Sequence, residues 1–140
     1  MNGSILLVED DLIDAMTFKR ALKQLNISNK VVVAENGETA LELLHDSSRQ
    51  KPSLILLDLN MPRMNGTELL SAVKRDPALK YIPVIVLTTS GDSRDIRRSY
   101  ENGAAGYMVK PVDYTHFVTI ISTIFSYWRS CELPQERCYD

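Results

Sequence analysis

The sequence predicts an α/β domain built on a doubly wound, five-stranded parallel sheet. Three observations carry that prediction. Short apolar runs rich in Val, Ile and Leu recur without polar alternation, the pattern of strands buried on both faces. Helical segments of roughly 10–16 residues separate them. Turn formers mark the joints: Asn36-Gly37, Pro52, Asn65-Gly66, Asp76-Pro77, Gly91 and Asn102-Gly103. Alternation of this kind means β-α units joined by right-handed crossovers.

The first strand is expected over Ser4–Val8 and ends on the acidic group Glu9-Asp10-Asp11. The helix Leu12–Leu25 follows, and Asp11 suits its start because acids are favoured there. The second strand is Lys30–Ala34, followed by the helix Gly37–His45. The third strand, Ser53–Leu57, ends on Asp58, and Leu59-Asn60-Met61-Pro62 leads into the helix Asn65–Arg75. The fourth strand, Pro83–Leu87, ends on Thr88 and precedes the helix Ser93–Asn102. The fifth, Gly106–Val109, ends on Lys110-Pro111 and precedes the helix Tyr114–Arg129. Gly66, Gly103 and Gly106 read as turn residues. After Arg129 the pattern dissolves into Leu133-Pro134-Gln135-Glu136-Arg137, so one domain over residues 1–130 and a tail over 131–140 are expected.

The bulk composition narrows the function classes. Of 140 residues, 44% are hydrophobic, which argues against disorder. A net charge of -2, from 16 basic and 18 acidic residues, offers no footprint for nucleic acid and no polybasic membrane patch. Met1-Asn2-Gly3-Ser4 lacks a basic leader, and no apolar run is long enough to span a bilayer. Cys131 and Cys138 alone make neither a disulfide framework nor a four-ligand zinc site. A reducing cytoplasm is the expected location.

The strand ends carry the chemistry. An open parallel sheet places its site outside the carboxyl ends of its strands. There this sequence delivers Glu9, Asp10 and Asp58, a hydroxyl from Thr88 and an amine from Lys110. Clustered carboxylates raise one another's pKa. A hard divalent cation with oxygen ligands relieves that repulsion, and magnesium often shares substrate phosphate oxygens. A carboxylate can itself attack phosphorus to give an aspartyl phosphate. Lys110 and Thr88 would then meet the arriving phosphoryl oxygens.

In the order and spacing of these residues, the chain resembles a response-regulator receiver domain over about residues 4–128. The resemblance implies the flavodoxin-like strand order 2-1-3-4-5. It makes Asp58 the phosphorylation site, Asp10 the direct magnesium ligand, Glu9 the outer acid and Asn60 a ligand through its backbone carbonyl. It has Thr88 and Lys110 grip the phosphoryl group, and Tyr107 swing inward when Thr88 moves. It also implies a cis Lys110-Pro111 bond and a histidine kinase as phosphodonor. The function implied is a single-domain response regulator, a switch that assists its own phosphorylation and dephosphorylation. Leu87-Thr88-Thr89-Ser90, and a last helix ending near Tyr127-Trp128 before Leu133-Pro134, resemble the stand-alone regulators paired with phytochromes.

Other readings are weaker. An aspartate-nucleophile, magnesium-dependent phosphatase wants a second Asp two residues after the nucleophile as general acid, and that position is Asn60. A flavodoxin-like electron carrier would have its flavin phosphate repelled by Glu9-Asp10-Asp11. A degenerate receiver would lack part of the acceptor set, which is intact here. His45 and His116 have no matching ligands, and Arg94-Asp95-Ile96-Arg97-Arg98 reads as a solvated helix face.

The last helix carries two apolar stripes. Phe117, Ile120, Ile121, Ile124 and Trp128 form a core stripe. Tyr114, Val118, Phe125 and Ile121 mark a second, which either fills the flank of a wide core contact or forms an exposed patch for association. On the second alternative a homodimer is expected through Ser93–Asn102, the fifth strand and Tyr114–Arg129.

Overall fold

The computed structural model describes residues 3–134. Its elements run β1 (Ile5–Val8), α1 (Leu12–Gln24), β2 (Val31–Ala34), α2 (Gly37–His45), β3 (Leu54–Leu57), α3 (Gly66–Arg75), β4 (Val84–Thr88), α4 (Ser93–Glu101), β5 (Gly106–Val109) and α5 (Tyr114–Ser130). All neighbouring strands pair in parallel, in the order β2-β1-β3-β4-β5. The expected fold class and strand order are therefore those observed.

Pleating explains why the strands read as unbroken apolar runs. Alternate residues face opposite sides of the sheet. Ile5, Leu7, Leu54, Leu56, Ile85 and Leu87 pack toward α1 and α5. Leu6, Val8, Ile55, Leu57 and Val84 pack toward α2 and α3. Both faces are covered, so no strand position in the middle of the sheet is left for a polar side chain.

The helix starts are set by side-chain caps. Asp11, Asn36, Asn65, Asp92 and Asp113 each accept from backbone N–H groups in the first turn of the helix that follows. Asn65 and Glu68 complete a reciprocal capping box, so α3 starts at Gly66, one residue later than expected. Gly66 is not a turn residue in a left-handed conformation. It is the first residue of α3, pressed so closely on the chain at Asp58 and Leu59 that a Cβ would lie 2.5 Å from the Asp58 carbonyl oxygen.

Two expectations about α5 change. Phe125 and Ile121 are fully buried and join Phe117, Ile124 and Trp128 in one core cluster. Tyr114, Val118 and Ile120 lie at its margin, partly buried. The second stripe is thus the flank of a wide contact, because α5 lies in the groove between the sheet and α1. The ring of Trp128 meets Phe125 edge-on, with centroids 5.3 Å apart. Beyond α5, Leu133 folds back on the same core, and Cys131 is a free thiol. Cys138 and most of the expected tail lie outside the described residues. Among the described residues no helix is long and apolar enough to cross a membrane.

Candidate functional site

The sheet register brings the strand-end residues together. The Asp58 amide donates to the Val8 carbonyl (3.1 Å), fixing the end of β3 beside the end of β1. The Lys110 amide donates to the Thr88 carbonyl (2.7 Å), doing the same for β5 and β4. Asp58, Glu9 and Thr88 are buried, whereas Asp10 and Asn60 face solvent.

Asp58 is held at both carboxylate oxygens. Its Oδ1 accepts from the Thr88 hydroxyl (2.8 Å) and from the Asn60 amide (3.1 Å). Its Oδ2 accepts from Lys110 Nζ (3.3 Å). Lys110 also donates to Glu9 Oε1 (2.5 Å) and Asp14 Oδ2 (3.1 Å). The Lys110 side chain is only 10% exposed. Burial works to lower its pKa, but the Glu9 hydrogen bond and the charges of Asp58 and Glu9 outweigh that, holding the ammonium above the ordinary lysine range. Burial pushes the Glu9 carboxyl up to about 7, with Lys110 opposing.

Glu9, Asp10 and Asp58 offer carboxylate oxygens that all lie within 4.8 Å of one another. The donors are all hard oxygens, and the Lys110 ammonium bonds only two of the three acids, Glu9 and Asp58, so the cluster suits a hard divalent cation. Asp11 stands apart. It caps α1, accepting from the amides of Ile13 (2.9 Å) and Asp14 (3.1 Å).

Tyr107 and Thr88 lie on the same face of the sheet. Tyr107 is in register with Val86, two residues before Thr88. The Tyr107 hydroxyl donates to the Ser90 carbonyl (2.8 Å). Burial pushes the phenol pKa up, and that hydrogen bond opposes the shift. The Ser90 hydroxyl donates to Asp95 on α4 (2.6 Å), so one loop residue links Tyr107 to the start of α4.

The structure brings Glu9, Asp10, Asp58, Asn60, Thr88 and Lys110 together, and Tyr107 lies beside them on β5 with its hydroxyl on the Ser90 carbonyl. One implied detail differs: no peptide bond among the described residues is cis, so Lys110-Pro111 is trans. Trans is the ordinary isomer of an X–Pro bond, favoured by roughly 0.5–1 kcal/mol. Lys110 reaches its three carboxylates from it. Asp14 was missed. Its one signal was its position a helical turn beyond Asp10, and an acid in the first turn of a helix is common for other reasons. His45 pairs with Asp76 on the surface, away from this site.

The comparisons with known proteins agree with the geometry. The family model for the response regulator receiver domain matches residues 5–122. Response regulator Rcp1 of Synechocystis is 36% identical over 128 residues, which cover 89% of this chain and 87% of that protein. The probable methanogenesis regulatory protein FilR2 of Methanothrix harundinacea is 39% identical over 127 residues, 89% of this chain and 82% of that one. The phosphorylated cyanobacterial phytochrome response regulator RcpA superposes with a TM-score of 0.90 at 35% identity, over 96% of this chain and all of that one. The Mn(2+)-bound form of Rcp1 superposes with a TM-score of 0.87 at 35% identity, over 95% of this chain and 99% of that one. None of these supports the phosphatase alternative. The chain belongs to the response regulator receiver domain family, whose members are phosphoryl-accepting switches of two-component signalling.

Proposed function

We propose that Asp58 is the phospho-accepting residue of this receiver and that a histidine kinase is its donor. The observation that carries the reading is the treatment of one buried carboxylate. Thr88 and Lys110 donate to different oxygens of Asp58, so a donor already stands at each oxygen of the carboxylate a phosphoryl group would join. An Asp58 oxygen attacks phosphorus. The new O–P bond forms as the bond to the donor breaks, and the donor leaves with that electron pair. In the reverse sense a water oxygen attacks phosphorus, the Asp58 O–P bond breaks, and the carboxylate and inorganic phosphate are released. Lys110 neutralises phosphoryl charge, and Thr88 donates a hydrogen bond to a phosphoryl oxygen.

Glu9, Asp10, Asp58 and the Asn60 backbone carbonyl would hold magnesium, which when bound neutralises the acids and the incoming phosphoryl charge. The Mn(2+)-bound relative supports that assignment. Signalling follows from Thr88 and Tyr107. A Thr88 hydroxyl drawn to the phosphoryl group vacates space on the face that Tyr107 shares, and the two arrangements differ in partner affinity. The chain acts as a switch and not as an enzyme with turnover.

The phytochrome regulators among its relatives support a phytochrome-type kinase as partner. So does an apolar rim beside the site: Leu12, Ile13 and Met16 on α1 and Val112 after β5 are mostly exposed. A homodimer through α4, β5 and α5 now rests on exposed Tyr100, Val109 and Tyr127, with Arg97 and Arg98 at the rim, since Phe125 is in the core. The chain works in the cytoplasm, without nucleic-acid or membrane contact.

Acetyl phosphate with magnesium should add one hydroxylamine-labile phosphoryl group, read by intact mass. Asp58→Asn should abolish it. Undiminished labelling in that variant would overturn the assignment.

A further inference from the structure

Asp14 is the acid at this site that the phosphorylation chemistry does not use. Lys110 has three N–H donors, and each faces a carboxylate: Glu9 at 2.5 Å, Asp14 at 3.1 Å and Asp58 at 3.3 Å. Glu9 and Asp58 belong to the acidic cluster that suits a cation, and Asp14 does not. Asp14 comes instead from the first turn of α1. Its contact with Lys110 is shorter than that of Asp58. A cavity of about 280 Å³ lies beside the ammonium, lined by Lys110, Asp14, Glu9, Leu7, Phe18 and Phe117 among others. The ammonium therefore has room to be drawn toward α1 and away from Asp58.

We propose that Asp14 is a positioning residue that competes with the phosphoryl group for Lys110 and so holds down phosphorylation of Asp58. The inference rests on the assignment of Asp58 above. Two effects act in the same direction. The Asp14 carboxylate occupies a donor that a phosphoryl oxygen needs, and its charge repels an anionic phosphodonor. In the transfer from acetyl phosphate, the Asp58 oxygen bonds to phosphorus while acetate leaves with the electron pair. Lys110 must then turn to a phosphoryl oxygen, and the pull of Asp14 opposes that turn. The Asp14 side chain is 44% exposed, so its hold is screened and tunes the rate without abolishing the reaction.

An acid in the first turn of α1 is also favourable for the helix dipole alone. A role in the helix start alone predicts labelling unchanged on removal of the charge. Asp14→Asn keeps a polar side chain of the same shape and removes the charge. It should speed labelling by acetyl phosphate about two- to fivefold, as expected of a half-exposed ion pair, and lengthen the phosphoryl half-life. The gap from the wild type should close as salt is raised, because screening removes the same interaction. Asp14→Ala should repeat the result if the asparagine variant is poorly folded. Asp11→Asn removes a charge from the same helix start but from a residue that does not touch Lys110, and it keeps a good cap. It should label like the wild type.

Unchanged or slower labelling in Asp14→Asn overturns the proposal. So does equal acceleration in Asp11→Asn, which would assign the effect to the general field. Labelling that survives Asp58→Asn overturns the site assignment and this inference with it.

Discussion

The Thr88 hydroxyl donates to Asp58 Oδ1 at 2.8 Å, in a place where Thr88 has no exposed surface. The bond joins the ends of β3 and β4 and makes Thr88 a direct partner of Asp58, the carboxylate proposed to accept the phosphoryl group. A change at Asp58 is thus felt directly by a side chain on the face that Tyr107 shares.

Thr88→Ala tests that relationship. Oδ1 keeps the Asn60 amide, so the variant should fold with a loss of about 1 kcal/mol in a denaturant titration. It should still accept phosphate. The backbone amide of Tyr107, followed by NMR, should shift on phosphorylation of the wild type and stay in place in the variant. A full shift in Thr88→Ala would rule out transmission through Thr88.

Asp10→Asn removes one of three crowded carboxylates. Magnesium affinity in a titration should fall about tenfold or more, which is 1.4 kcal/mol or more. Without magnesium the same variant should melt at a higher temperature than the wild type, because repulsion is relieved. A lower melting temperature in chelator would show that the acids are not in conflict.

Gly66→Ala should damage the site from below. The added Cβ would meet the Asp58 carbonyl oxygen at 2.5 Å and Leu59 Cα at 2.6 Å, and both are backbone atoms. Relief requires moving the Asp58 loop or the start of α3, at roughly 1–3 kcal/mol. Labelling from acetyl phosphate should slow as well. Gly91→Ala, with nothing within 4 Å, should change neither quantity.

Phe125→Ala and Tyr100→Glu separate core from surface. Phe125 is fully buried, so its truncation should cost about 3–5 kcal/mol. Tyr100 is 51% exposed on α4, so its replacement should leave the melting temperature near that of the wild type. Light scattering at micromolar concentration should find a dimer for the wild type and a monomer for Tyr100→Glu. A wild-type monomer with and without phosphorylation would remove the dimer.

Local sequence pattern was enough to place the sheet and the residues that meet at its carboxyl edge. Apolar runs buried on two faces have sharp ends, so the residue after each run could be placed at the carboxyl edge without coordinates. Glu9, Asp58, Thr88 and Lys110 are all of this kind. Matters that depend on a second element were set by tertiary packing alone. Periodicity shows how wide the apolar surface of α5 is, but not how much of it the sheet and α1 cover, and Phe125 is buried because they cover it widely. The close approach of Gly66 to Asp58 depends on where α3 sits against its own preceding loop. Asp14 meets Lys110 across 96 residues, so no local pattern could distinguish it from an ordinary helix-start acid.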